Sequence, residues 1–301
     1  GAQLDVAPYF QYRDIVHPIF RVLDQVSRDV GVEARYRDER PIGSHDSSFA
    51  LGVQWAWGKN QNRHFENDAG QPGTLAKDQN DFAGTLAVYG EEVLGITERV
   101  KAVLGARWAL DNRRLEDSFL ADGDQTDERD YDAFQPKVGV LYELPSVAGQ
   151  LFANASRMYE PPLLLEVNSL AGPGFIDLDA QRAWQFEIGT RGRSGGFQWD
   201  VAGYDLEIDD EIININVQPF PFAPFTVPTY RNAPKTRHYG FEAALAYELP
   251  EAVFVRSGLR DRLGARISYT WGVFEYVDDV ENAGNRLPGI PEHYVQAEID
   301  Y

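Results

Sequence analysis

Asp81-Phe82-Ala83-Gly84-Thr85-Leu86-Ala87-Val88-Tyr89 sets Phe82, Leu86 and Val88 in one phase and Asp81, Thr85 and Tyr89 in the other. A repeat of two is that of a β-strand with one face against an apolar medium and the other against a polar one. Phe134 to Tyr142 reads the same way, with Phe134, Val138, Val140 and Tyr142 in phase. Working outward, Leu4 to Tyr12, Val26 to Tyr36, Phe49 to Trp57 and Arg99 to Leu110 alternate similarly. Further segments follow at Gln150 to Ser156, Ala183 to Arg191, Phe197 to Ile208 and Ile212 to Val217. The last are Tyr239 to Tyr247, Leu263 to Trp271 and Tyr294 to Tyr301, for roughly thirteen strands in all.

Strands of this length, rich in aromatic residues, predict an all-β fold: an antiparallel transmembrane β-barrel. No run approaches the ~18 apolar residues that a membrane-spanning helix requires. Trp55, Trp57, Trp108, Tyr142 and Trp271 are expected at strand ends, where an amphipathic ring suits the headgroup region. Connections of unequal length fit the same picture. Glu143 to Gly149 is brief, whereas Gly58 to Gln79, Glu160 to Arg182 and Pro219 to Pro228 read as long loops. The rival packing, a soluble β-sandwich or propeller, would bury the apolar faces internally.

The 301 residues carry 28 Lys+Arg against 47 Asp+Glu, a formal charge of −19. That balance argues against nucleic acid, whose phosphates need a cationic surface. With no Cys, disulfides, thiolate metal sites and thiol chemistry are excluded. His17, His45, His64, His238 and His293 show no metal-ligand spacing. The run Asp122, Asp124, Asp127, Glu128 lacks the Gly and Glu positions of a calcium loop and reads as solvated. No Gly-x-Ser-x-Gly elbow or phosphate-cradling loop is present, and Ser156 has no base nearby in sequence, so no catalytic residue and no metal site is assigned. The reading is of a protein that is not an enzyme and needs no cofactor.

Several segments resemble the barrel of TonB-dependent outer-membrane receptors. They are Phe152-Ala153-Asn154-Ala155-Ser156-Arg157-Met158-Tyr159-Glu160-Pro161-Pro162, Glu187-Ile188-Gly189-Thr190-Arg191-Gly192, Tyr230-Arg231-Asn232-Ala233, Thr236-Arg237-His238-Tyr239-Gly240-Phe241-Glu242, and Gly284-Asn285-Arg286-Leu287-Pro288-Gly289-Ile290-Pro291-Glu292-His293. Met158 to Pro162 and Thr236 to Gly240 are nearest the ferric-citrate-like branch and its pyrroloquinoline-quinone-receptor relatives.

The resemblance implies a barrel of about 22 strands filled by an amino-terminal plug. Residues 1–301 would then be an incomplete part of that barrel, with long extracellular loops and the plug domain outside this sequence. It implies active uptake of a ferric siderophore or other iron chelate across the outer membrane of a Gram-negative bacterium. Alternative cargoes are pyrroloquinoline quinone or another small cofactor, and a passive porin-like channel is a further alternative. Partners implied are the TonB-ExbB-ExbD complex through the plug, outer-membrane lipid and lipopolysaccharide, and a small-molecule ligand. Arg157, Tyr159 and Glu160, where a strand emerges into a long loop, are ligand-binding candidates, as is His238. With Tyr239 outward, His238 and not Arg237 is expected to face the interior. The competing roles are a rim ion pair of Arg157 with Glu160, and a strand-end hydrogen bond for His238. Gly189, Gly240 and Gly284, and Pro161, Pro162, Pro288 and Pro291, are read as structural.

Overall fold

The computed structural model describes residues 1–168, 174–218, 221–249 and 262–301. Twelve strands form one antiparallel sheet in which each strand pairs with its neighbour in sequence. They are β1 (Gln3–Pro18), β2 (Arg21–Asp38), β3 (Ser47–Asp68), β4 (Gln71–Gly95), β5 (Val100–Asp117) and β6 (Asp127–Glu143). The second half comprises β7 (Ala148–Glu160), β8 (Gln181–Ser194), β9 (Phe197–Val217), β10 (Val227–Glu248), β11 (Gly264–Tyr276) and β12 (His293–Asp300). A single helical turn, α1 (Leu164–Val167), interrupts the connection from β7 to β8.

The apolar phase of the sequence is the exposed phase of the sheet. Phe49, Leu51, Val53, Trp55 and Trp57 on β3 are 36–46% exposed, and Leu104, Val138 and Ile188 reach 55%, 51% and 69%. Among the described residues no second protein layer covers them, as expected where lipid is the covering medium. Eight residue steps from Phe49 to Trp57 give ~27 Å along the strand. Tilted by ~40°, that is about 20 Å, close to the apolar band of outer-membrane barrels. Aromatic residues edge the band on one side at Trp57, Phe82, Trp108 and Trp184, with Trp57 and Phe82 rings 6.1 Å apart. Tyr142, Phe197, Trp199 and Tyr247 edge the other side, Phe197 and Trp199 being stacked. Trp271 packs on Phe241.

The opposite face carries small and polar residues, including the buried Ala87, Ala109, Asp81, Asp111 and Arg113. The sheet curls around that face. α1 touches both β4 and β10. Laid flat, these strands would lie ~29 Å apart, whereas a four-residue turn is only about 6 Å long. Strands β1 and β12 remain the two free edges, so the sheet is part of a barrel wall.

Three expectations are corrected. Gly58 to Gln79 is not a loop: β3 and β4 continue their ladder through it to the pair Asp68↔Gln71. The two residues between, Ala69 (φ 50°) and Gly70 (φ 89°), make the tight turn, with both φ positive as in a hairpin of the I′ kind. Beyond the lipid there is no apolar medium to impose alternation, yet the backbone ladder persists. For the same reason Trp57 and Trp108 mark the edge of the apolar band, not the ends of their strands. Ile212 to Val217 is not a separate strand but the end of β9, continuous past Asp210; the described residues hold twelve strands, in line with the roughly thirteen expected.

The connections of 20 residues (β7–β8) and 9 residues (β9–β10) do lie at one end of the sheet, together with the 9- and 16-residue connections β5–β6 and β11–β12. The opposite end has connections of 2, 4, 4 and 8 residues, and the β10–β11 connection, most of which lies outside the described residues.

Candidate functional site

The β7–β8 connection folds back over the polar face at the end with the long connections. Pro161 and Pro162 stop the ladder immediately after Glu160. The buried Arg113 on β5 then donates through Nε to the Pro162 carbonyl at 2.9 Å. Glu166 accepts from the Leu163 N–H at 2.7 Å and so steadies the start of α1. At its end, Asn168 Oδ1 accepts from Gln79 at 3.2 Å, and Nδ2 lies 3.5 Å from Asp81. On the return, the Leu178 carbonyl accepts from the Tyr131 hydroxyl at 3.3 Å. Asn232 on β10 then pairs with the Asp179 backbone in both directions, at 2.9 and 3.0 Å. The connection is thus tied to β4, β5 and β6 on one side and to β10 on the other.

Beneath it a cavity of about 250 Å³ lies between β7, β8, β9 and β10, lined among others by Tyr159, Glu160, Gln181, Leu206, Glu211 and His238. Tyr159 donates to Asp111 Oδ2 at 3.1 Å, and Thr85 donates to Oδ1 of the same carboxylate at 2.5 Å. Burial and the Asp111 carboxylate push the Tyr159 phenol well above its ordinary range, so it remains a neutral donor and acceptor. Glu160 accepts from Gln181 Nε2 at 2.7 Å.

His238 Nε2 lies 3.2 Å from Glu211 Oε2, and its ring centroid is 4.7 Å from that of Phe274. Glu211 reaches His238 because Asp210 adopts a left-handed backbone (φ 59°) opposite Pro234, which has no N–H to give the ladder. The pairs Asp209↔Lys235 and Glu211↔Ala233 resume on either side. Glu211 then meets Thr236 and His238 on the polar face. Such an outlier in a non-glycine residue is retained where the surrounding contacts over-determine it.

Three of the four candidate binding residues, Tyr159, Glu160 and His238, therefore line one cavity. Arg157 does not join them. It pairs across the ladder with Trp184, on the apolar face, and its guanidinium sits 5.9 Å from the centre of that ring. Arg157 and Glu160 form no ion pair with one another among the described residues. Arg237 also faces outward, held by Asp205 through two hydrogen bonds of 2.9 and 2.8 Å.

The structural candidates occupy tight or turning places. A Cβ on Gly240 would fall 2.1 Å from the Trp271 carbonyl, and one on Gly189 2.5 Å from the Val201 carbonyl. Gly284 has φ 79° in the β11–β12 connection, which also holds Pro288 and Pro291. Asp81, Asp111, Arg113, Asn168 and Glu211 were not singled out from sequence. Asp111 and Arg113 could have been, as a charged pair in the polar phase of β5. The acidic loop is closed on itself: Asp117 accepts from the Phe119 and Gln125 N–H groups, and Asp124 from that of Thr126. No cluster of metal-ligating side chains occurs among the described residues.

This wall of exposed-apolar strands around a polar interior belongs to a known class. Residues 3–301 match the family described as TonB dependent receptor-like, beta-barrel, and the chain belongs to that family. The family is one of transport receptors.

Solved structures similar to this one include the ferric citrate transporter FecA in the unliganded form, at 18% identity and a TM-score of 0.73, covering 100% of this chain and 44% of that one. Another is the copper transporter OprC, at 13% identity and TM-score 0.69, covering 98% and 47%. A third is the ferripyoverdine receptor of the outer membrane of Pseudomonas aeruginosa, at 14% identity and TM-score 0.63, covering 99% and 40%. The chain spans less than half the length of each, in keeping with a partial barrel. No curated protein sequence matches it.

Proposed function

We propose that the chain forms the wall and external loops of an outer-membrane receptor that takes up a ferric siderophore or other iron chelate. Transport would be driven through a plug domain coupled to the TonB-ExbB-ExbD complex. The end carrying the β5–β6, β7–β8, β9–β10 and β11–β12 connections faces the outside, following the rule of short periplasmic turns and long external loops. The observation that carries this reading is the β7–β8 connection fastened across the interior above Tyr159, Glu160 and His238. A connection so placed closes over a solute and excludes water from it, which strengthens every polar contact beneath.

In this cycle Tyr159 offers a hydroxyl, the imidazole of His238 offers Nδ1 as donor or acceptor, and Glu160 offers a carboxylate. The full-length receptor, titrated with ferric citrate, a ferric catecholate siderophore and pyrroloquinoline quinone while Trp fluorescence is followed, tests the cargo. Saturable binding of one iron chelate, weakened by His238→Ala, is expected. Binding of the quinone alone would overturn the iron reading, and binding of none of them would overturn the receptor reading.

A further inference from the structure

We propose that the cavity beneath the β7–β8 connection takes an alkylammonium arm of the cargo, its carbon chain against β7, β8 and β9 and its nitrogen against Glu160 and Glu211. The inference rests on the uptake reading above and names the chemical group that this site selects. Met158 pairs with Ala183, Ala183 with Ile208, and Ile208 with Thr236, so one row across four strands is apolar up to the threonine hydroxyl. Leu206, the partner of His238, widens that floor. Ala183 and Ile208 are buried, on a face otherwise made of small and polar residues. Such a floor gains from being covered by methylene groups and not by a hydrated anion. The volume of about 250 Å³ equals that of roughly eight waters. It has room for an arm of about five carbons and a nitrogen, but not for a whole chelate.

Neither carboxylate has a Lys or Arg partner among the described residues, and each has only its Oε2 engaged. Glu160 accepts there from Gln181 at 2.7 Å, and Glu211 from Thr236, with His238 Nε2 at 3.2 Å. A neutral imidazole donating through Nε2–H satisfies one lone pair of Glu211 without cancelling its charge. The Glu211 and His238 side chains are 16% and 14% exposed, so water screens that charge little. The Gln181 amide holds the two acids on one cavity. Its Nε2 binds Glu160, and its Oε1 accepts from the Ile212 N–H, next to Glu211, at 3.1 Å. The guanidinium in the lining, Arg182, is not their counter-ion: it donates to the Asp132 carbonyl at 3.4 Å and forms no ion pair with either glutamate. An ammonium brings the missing positive charge and three donors for the open oxygens. An arm ending in a carboxylate meets like charge there and is rejected.

Met158 is the one methionine of these 301 residues, and it lines the cavity. Full-length receptor labelled with ¹³C-methyl methionine, its Met158 signal assigned through Met158→Leu, is titrated with pentylammonium, N-pentylacetamide and pentanoate. A saturable shift of the Met158 methyl is expected with pentylammonium, at an affinity on the order of tenfold above that of the other two. Glu211→Gln and Glu160→Gln should each lower the pentylammonium affinity severalfold. Equal affinity for the three probes, or no Met158 response to pentylammonium, overturns the site, and neither result depends on a variant folding. Unchanged pentylammonium affinity in both folded variants overturns it too. The probes carry no metal, so the outcome is separate from the chelate titration. An iron chelate bound without a response to pentylammonium overturns the amine arm and leaves the uptake reading standing. A response to pentylammonium with no iron chelate bound supports the site and overturns the iron cargo.

Discussion

Arg113 Nε and the Pro162 carbonyl, 2.9 Å apart and both buried, join the middle of the wall to the first residues of the connection that crosses it. The same guanidinium lies 4.0 Å from Asp111, the carboxylate that holds Tyr159. One arginine therefore fixes the strap and the polar group beneath it. Replacing it with Leu strips Pro162 of its donor and leaves Asp111 buried without its cation. A loss of about 2 kcal/mol in unfolding free energy is expected, the range of a hydrogen bond to a charged group. Hydrogen exchange at residues 163–168 should rise more than in the strands, and equal protection in Arg113→Leu would contradict the anchoring role.

Tyr159→Phe removes one hydroxyl without changing the ring. Asp111 keeps Thr85, so the structural cost should stay near 1 kcal/mol. If the phenol also meets the solute, ligand affinity should fall severalfold more than Thr85→Val lowers it, since Thr85 touches only the carboxylate. Equal effects of the two substitutions on affinity would make Tyr159 a structural residue alone. Titration of the full-length receptor with the ferric chelate it binds gives both numbers.

Ile188 decides between lipid and water as the medium of the exposed face. It is 69% exposed and lies in mid-band beside Phe186 and Trp184. On a soluble protein, Ile188→Arg would change stability little, as exposed substitutions usually do. In a bilayer it should cost about 2–4 kcal/mol. Folding into lipid vesicles under urea, followed by heat-modifiable mobility, measures the difference.

How much of this was legible follows from where the lipid lies. Phe82, Leu86 and Val88 announce their strand because one side of it is forced to be oily. Asn62, His64, Asp78 and Gln79 sit in the same two strands, but both of their faces meet polar surroundings. Their composition is that of a loop while their backbone is that of a ladder. The inward direction of His238 was readable from its phase with Tyr239. Its partner Glu211 was not, because the left-handed residue Asp210 turns that carboxylate toward the polar face, and no local pattern encodes the turn. Likewise Tyr159 pairs with Asp111, 48 positions earlier, through a contact that exists only once the sheet sets β5 and β7 on either side of β6.

His64, on the polar face of the β3–β4 hairpin beyond the apolar band, gives the pH prediction. Burial, with Lys77 and Arg21 nearby, lowers its imidazole from the ordinary 6.5 to about 4. The folded state therefore prefers the neutral ring. Its contribution is fully present above pH 6.5 and is lost as pH falls through about 4, where the folded hairpin finally accepts the proton. Imidazole resonances of the full-length receptor should show His64 titrating near pH 4. A midpoint near 6.5 would mean that the hairpin is open in solution.

Gly240 and Gly84 are both strand glycines, yet substitution should separate them sharply. A Cβ at Gly240 would lie 2.1 Å from the Trp271 carbonyl and 2.9 Å from the Gly272 Cα, in the row where these two glycines pair. Backbone cannot retreat there without opening the β10–β11 ladder. At Gly84 the nearest atom is the Asn112 Cβ at 4.0 Å, an ordinary contact. Gly240→Ala should cost about 1–3 kcal/mol, as overpacking does, whereas Gly84→Ala should be neutral or mildly stabilising because it restricts the unfolded chain. Urea midpoints for the two variants test the contrast, and equal midpoints would show that the β10–β11 pair has room the close approach denies.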